Sequence, residues 1–261
     1  MRALLFSTFF STFFSTFSST FFSALTLIFA CCFGSPHCFG QNSAQTTGEV
    51  NVVGAMKNVM WKGQLSGNIQ LDTIAPRTGL YGLGPLEYLA GELMILNGVS
   101  YLSTVRSSTA MRVEERPTAR APFFAYANIG EWEEKPLPDS VQNLGQLEAY
   151  LDFHTKTARR PFLFMIKGTV ETAAIHVVNL PKGAKVRSPA EAHKGKITYL
   201  LKNKPVEMLG FFSTEHQSIF THHDTYLHLN AMTTDTTQMG HLDECTLKKG
   251  TARLFLPRYA E

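Results

Sequence analysis

Residues 226–232 read YLHLNAM, and the alternation along that run restricts the fold more than any other feature of the chain. In an extended strand successive side chains point to opposite faces. His228, Asn230 and Met232 therefore share one face, and Leu227, Leu229 and Ala231 share the other. The polar run TTDTTQ that follows has the composition of a hairpin connection. Met239-Gly240-His241-Leu242 then opens a second strand that brings His241 back beside His228.

Five of the nine histidines fall between His216 and His241. Neutral imidazole is the commonest metal ligand and the side chain most easily tuned near neutral pH. Two imidazoles from paired strands, His228 and His241, with Asn230 as a weaker oxygen donor, form a candidate metal site with one open position, as catalytic zinc requires. His222 and His223 are neighbours, so at most one can face such a site; His223 is the candidate for substrate binding. His216 is expected in a turn before the strand, as a structural histidine.

The rest of the chain reads mainly as strand. Gly91 to Tyr101 is a hairpin, because Asn97-Gly98 between two apolar runs is the strongest short hairpin signal. Glu92 stands at the mouth of its first strand, the one carboxylate beside an apolar stretch, with a solvated strand end as the ordinary alternative. Val52 to Ile74 mixes an opening helix or turn with a strand. RPTARAP is a connection, Phe123 to Ile129 a buried strand, and EWEEKPLPDS an acidic surface loop. Leu144, Leu147, Tyr150 and Leu151 are spaced for an amphipathic helix over 144–158, with Ser140 as its start signal and Pro161 beyond its end. Two strands, Phe162 to Gly168 and Val170 to Leu180, flank Gly168, and the second contains His176. KGAKVRSPAEAHKGK is basic and loop-like, with His193 exposed, and strands dominate from Ile197 to Pro257.

Residues 1–40 form a separate problem. Their one charge is Arg2, followed by a low-complexity run of Phe, Ser, Thr, Ala and Leu. That pattern is the mark of a secretory signal, with cleavage near Gly40 or, as the alternative, lipid attachment at Cys31. A secreted or periplasmic location follows as the expectation, with membrane contact only through the leader or the lipid. Removing the leader takes Cys31, Cys32 and Cys38 with it and leaves Cys245 alone, so no intramolecular disulfide can form. It also lowers the formal charge from +3 to about +2, which offers no nucleic-acid surface. Residues 41–261 are long enough for a substantial core, in one domain or two packed lobes.

The runs YGLGPLEYLAGELMILNGVSY, FLFMIKG, GFFSTEHQSIFTHHDTYLHLNAMTTDTTQMGHLD and ARLFLP, in that order, resemble the acetolactate decarboxylase family over roughly Met60 to Pro257. The resemblance implies an α+β fold of mainly mixed or antiparallel sheet in two packed lobes, and a zinc ion held by histidines in an H-x-H…H arrangement. His228 matches the first histidine of the pair, His241 the later one, and Asn230 stands where the second is expected. Glu92 matches the family's GE glutamate. His176 falls near the position of its active-site arginine, and an imidazole cannot reproduce the bidentate clamp of a guanidinium. The acidic residue near the family's C-terminus has only Glu261 as a counterpart.

The implied reaction converts 2-acetolactate to acetoin and carbon dioxide. A Lewis acid chelating the ketone and hydroxyl oxygens would stabilise the enediolate left by decarboxylation. Glu92 is the candidate to orient the substrate or relay a proton, and His176 or His223 the candidate to hold the carboxylate. Zinc, a small 2-hydroxy-3-keto acid and, with oligomeric state left open, a second copy in a homodimer are the expected partners. Two other classes compete: a secreted binding protein that keeps the fold without catalysis, motivated by Asn230 and His176, and a zinc hydrolase with Glu92 as base.

Overall fold

The computed structural model describes residues 48–221 and 224–258. The expectations placed on the leader, His222, His223 and Glu261 lie outside the described residues. Fourteen strands and three α-helices follow in the order β1 (Asn51–Val53), α1 (Met56–Lys62), β2 (Ile69–Gln70), β3 (Leu80–Pro85), β4 (Glu92–Leu96), β5 (Val99–Val105), β6 (Met111–Glu115), β7 (Arg120–Ala121), β8 (Phe124–Asn128) and β9 (Trp132–Pro136). The second half contains α2 (Leu144–His154), β10 (Phe162–Val177), α3 (Pro189–Ala192), β11 (Ile197–Phe212), β12 (Leu227–Thr233), β13 (Met239–Leu247) and β14 (Arg253–Pro257). Among the described residues no helix is long and apolar enough to cross a membrane.

The first sheet runs β1-β8-β3-β4-β5-β6 and grows from hairpins. The Asn97-Gly98 turn joins β4 to β5 as expected. Both residues have positive φ, 44° and 88°, and Leu96 pairs with Val99, the geometry in which Asn-Gly is favoured. The second sheet runs β11-β12-β13-β10-β14-β9, and β10 also pairs with β11 along its whole length. Since β12 bridges β11 to β13 and β13 returns to β10, these four strands close on themselves. All pairings between the named strands are antiparallel. The fold is α+β and dominated by antiparallel sheet, as the sequence implied.

Two apolar layers hold the strands. Inside the closed strands lie Phe162, Phe164, Ile175, Val177, Leu229, Ala231, Leu242 and Cys245, plugged by Leu147 and Leu151 of α2. Between the two sheets lie Leu83, Met94, Leu96 and Ala125 from the first against Leu163, Met165, Leu209, Phe211 and Met239 from the second. Each fully buried Leu, Ile or Phe contributes about 1.5–3 kcal/mol, so these layers fix how the sheets stack. Cys245 belongs to the barrel interior, where burial pushes its thiol up to about 12. It is a small buried residue, not a ligand facing the histidines.

Three local expectations are corrected. The stretch around Gly168 is one continuous strand, β10, and Gly168 sits within it. EWEEKP is not a loop but the edge strand β9, paired with β14 from Trp132↔Pro257 to Pro136↔Arg253; a proline is tolerated at an edge because its missing N–H faces no partner. The helix α2 spans Leu144–His154, and its N-cap is Asn143, not Ser140: Asn143 Oδ1 accepts from the Gln146 backbone N–H and Gln146 Oε1 from that of Asn143. This reciprocal arrangement satisfies two donors left over at the helix start.

Candidate active site

β12 and β13 pair as the alternation predicts, with Asn230 opposite His241. His228, two residues along on the same face, lies diagonally across from His241, their ring centres 5.1 Å apart. On its other side His241 pairs with His176 of β10, with ring centres 4.9 Å apart. Gly240 makes this approach feasible: a Cβ there would come within 2.5 Å of the His176 carbonyl oxygen. Glu148 of α2 anchors the entry to β12 by accepting the Tyr226 backbone N–H at 2.8 Å.

His176 reaches this face through a change of phase. Phe162, Phe164, Ile166 and Val170 point into the barrel, but beyond two exposed residues, Glu171 and Thr172, it is Ala173, Ile175 and Val177 that do so. Strict alternation from Phe162 would have turned His176 into the apolar core. A second irregularity lies in β13, where Ala174 pairs with Glu244 and Ile175 with Leu242, leaving Asp243 as an extra residue. Bulges of this kind re-aim side chains. Here Asp243 Oδ1 lies 2.7 Å from His176 Nδ1; a carboxylate can only accept, so the imidazole donates.

Across from the histidines stands Glu92, the first residue of β4. Leu93 and Ile95 cover the outer face of the first sheet, so Glu92 and Met94 point toward the second. The Glu92 side chain is not at a solvated strand end: only 4% of it is exposed. Burial pushes its pKa up to about 8, partly opposed by the Val178 N–H it accepts and reinforced by the negative charge of Asp243. The carboxyl is therefore held protonated at neutral pH.

One cavity of about 30 Å³ joins these groups. It is lined by Glu92, His176, His193, His228 and His241 and walled by Met56, Met60, Pro85, Leu89, Phe123 and Val178. That volume is room enough for an ion or a water among these groups. His193, expected on the surface, is half-buried at the C-cap of α3, its ring 5.8 Å from that of His176. Asn230 does not line the cavity. Its amide nitrogen donates to the Leu93 carbonyl at 3.2 Å, tying the two sheets together beside Glu92, and its buried Oδ1 has no hydrogen-bond partner. His216 sits in a turn, with Nδ1 2.7 Å from Ser213 Oγ and its ring against Phe220.

The donor types suit a borderline cation such as zinc. Two imidazoles sharing a tetrahedral ion, with nitrogens about 2.0–2.1 Å from it, have ring centres roughly 5 Å apart. The 4.9 and 5.1 Å spacings around His241 match that value. Among the described residues, though, no three His, Cys, Asp or Glu side chains are already gathered into a complete metal site. The residues fit an ion in donor chemistry and in the spacing of the two ring pairs around His241. Of the contributing groups, His193 and Asp243 were missed by sequence reasoning. Asp243 carries a signal in hindsight, as the carboxylate two residues after His241.

Comparison with known proteins agrees with this architecture. The family model described as alpha-acetolactate decarboxylase matches residues 53–256. Alpha-acetolactate decarboxylase from Bacillus subtilis strain 168 is similar in structure, with a TM-score of 0.62 at 18% identity, covering 80% of this chain and 85% of its own. A Staphylococcus aureus protein described as of unknown function and similar to alpha-acetolactate decarboxylase gives a TM-score of 0.66 at 14% identity, covering 79% and 84%. At such identities the structural likeness shows the fold alone. No curated protein matches the sequence.

Proposed function

We propose, from the premise that the chain belongs to the alpha-acetolactate decarboxylase family, that it decarboxylates 2-acetolactate, or a closely similar 2-hydroxy-3-keto acid, to acetoin and carbon dioxide with the help of a zinc ion. The observation that carries this reading is the buried Glu92 facing the imidazoles of His176, His228 and His241 across one small cavity. His228 and His241 would hold the ion, with Asn230 or His176 as a third donor. When bound, the ion supplies Lewis-acid stabilisation for the oxygen charge that develops as the carboxylate leaves.

Glu92 does the proton chemistry. Cleavage of the bond between C2 and the carboxylate releases carbon dioxide and leaves its electron pair on C2, delocalised into the adjacent ketone. Glu92, whose burial favours the protonated form, delivers the proton that converts this species to acetoin and is reprotonated from solvent. Addition from the Glu92 side alone determines which enantiomer forms. His193, which lines the cavity beside His176, would meet the substrate carboxylate before it departs. The apolar wall of Met56, Met60, Leu89 and Phe123 excludes water that would otherwise compete with Glu92 as proton source.

The test is acetoin formation from racemic 2-acetolactate with and without added zinc. One observation favours a second reading, a binding protein that retains the fold without turnover: Asn230 stands in β12 where the family resemblance implies a histidine. Zinc uptake without acetoin formation would favour this alternative. An exported location and homodimer formation remain part of the proposal, resting on the leader composition and the family resemblance.

A further inference from the structure

We infer that His176, and not Asn230, completes the metal site with His228 and His241, and that Asp243 is a positioning residue acting through His176. The inference rests on the reading of this cavity as a metal centre. Its support is positional. His176, His228 and His241 all line the cavity, and Asn230 does not. His241 stands between the other two rings at 4.9 and 5.1 Å, so two of the three ring pairs have the spacing of imidazoles sharing one ion. The Asn230 amide nitrogen donates to the Leu93 carbonyl; its unpartnered oxygen belongs to a residue outside the cavity lining, and carboxamide oxygen is a poorer zinc donor than imidazole.

The Asp243 contact adds the second argument. A metal-bound histidine almost always donates its other ring N–H to a carboxylate, carbonyl or water, which fixes its tautomer and raises its basicity. His176 donates Nδ1–H to Asp243 Oδ1 at 2.7 Å, which in the neutral imidazole makes Nε2 the nitrogen that can bind an ion. Two departures from regular strand geometry cooperate in this contact: the phase change near Glu171 turns His176 to the cavity, and the β13 bulge brings Asp243 against it. The neighbouring strand thus supplies an imidazole where β12 carries an amide.

The experiment is calorimetric zinc titration of the metal-stripped full chain and of Asn230→Ala, His176→Ala and Asp243→Asn, with cobalt(II) absorption spectra as a second readout. Expected are one zinc per chain in wild type, affinity within about threefold in Asn230→Ala, and at least a 100-fold loss with an altered cobalt spectrum in His176→Ala. Asp243→Asn should lose roughly 10–100-fold, the usual effect of removing a residue that orients a ligand. If His176→Ala does not fold by circular dichroism, Asp243→Asn decides: unchanged zinc affinity there overturns the inference. Undiminished affinity in His176→Ala, or loss in Asn230→Ala, also overturns it while leaving the metal-centre reading intact. A wild type that binds no zinc overturns both.

Discussion

The two faces of β10, β12 and β13 differ more from each other than the molecule's two sheets do. One face presents Ile175, Val177, Leu229, Ala231 and Leu242 to the barrel interior; the other, one residue away along each strand, presents His176, His228 and His241 to the cavity. The first face contributes burial free energy and no chemistry. The second buries polar groups, which is unfavourable unless each finds a partner. The difference teaches that this fold separates stability from reactivity by strand alternation, and that two local irregularities decide which residues fall on the reactive side.

Substitutions can break that separation or sharpen it. The largest effect is expected for His241→Ala, which removes the ring at the centre of the cluster: acetoin formation should fall by about 10³-fold or more, with thermal stability changed little in comparison. Across the strand, Leu229→Ala should do the opposite, costing about 3 kcal/mol in chemical denaturation while the surviving folded protein keeps its zinc stoichiometry. A Leu229→Ala protein that folds normally yet loses metal would erase the distinction between faces.

Glu92 belongs to the reactive side and should carry a stability penalty that depends on pH. Its pKa is raised from 4.5 to about 8 on folding, so the folded state binds its proton more tightly than the unfolded chain does. Stability from this group is fully present below about pH 4.5 and is lost as pH rises toward and through 8. In metal-free protein, Glu92→Gln should therefore gain about 2 kcal/mol over wild type between pH 5 and 9, with solvent relaxation reducing the full value. Equal pH profiles for the two proteins would show that Glu92 is not held protonated. The smallest effect is expected away from both faces: Asn143→Ala removes the cap of α2 and should cost about 1 kcal/mol without altering zinc affinity.

Much of this was legible from residues alone. The alternation in YLHLNAM, the Asn97-Gly98 turn and the spacing of Leu144, Leu147 and Leu151 each reported a local geometry, and the order of the motifs reported the family. Glu92 was legible as a lone carboxylate but not its burial, which depends on a second sheet distant in sequence. His176 was visible as a histidine in a strand; its facing was not, because a phase change in β10 has no signature in the apolar pattern. His193 was assigned to the surface because a basic segment with Gly and Pro reads as solvated, whereas the short helix α3 returns it to the cavity rim. EWEEKP reads as a loop because its charges and proline hide an edge strand whose pairing partner, β14, lies more than a hundred residues away.

The central claim is that a zinc ion between His228 and His241, opposite Glu92, enables decarboxylation. Its most direct test is to strip the purified protein with a chelator, supply racemic 2-acetolactate, and measure acetoin before and after one equivalent of zinc is restored. The account predicts no acetoin above the spontaneous background from stripped protein and turnover once zinc is returned. Background-level acetoin in both states, from a protein shown to be folded, would contradict it.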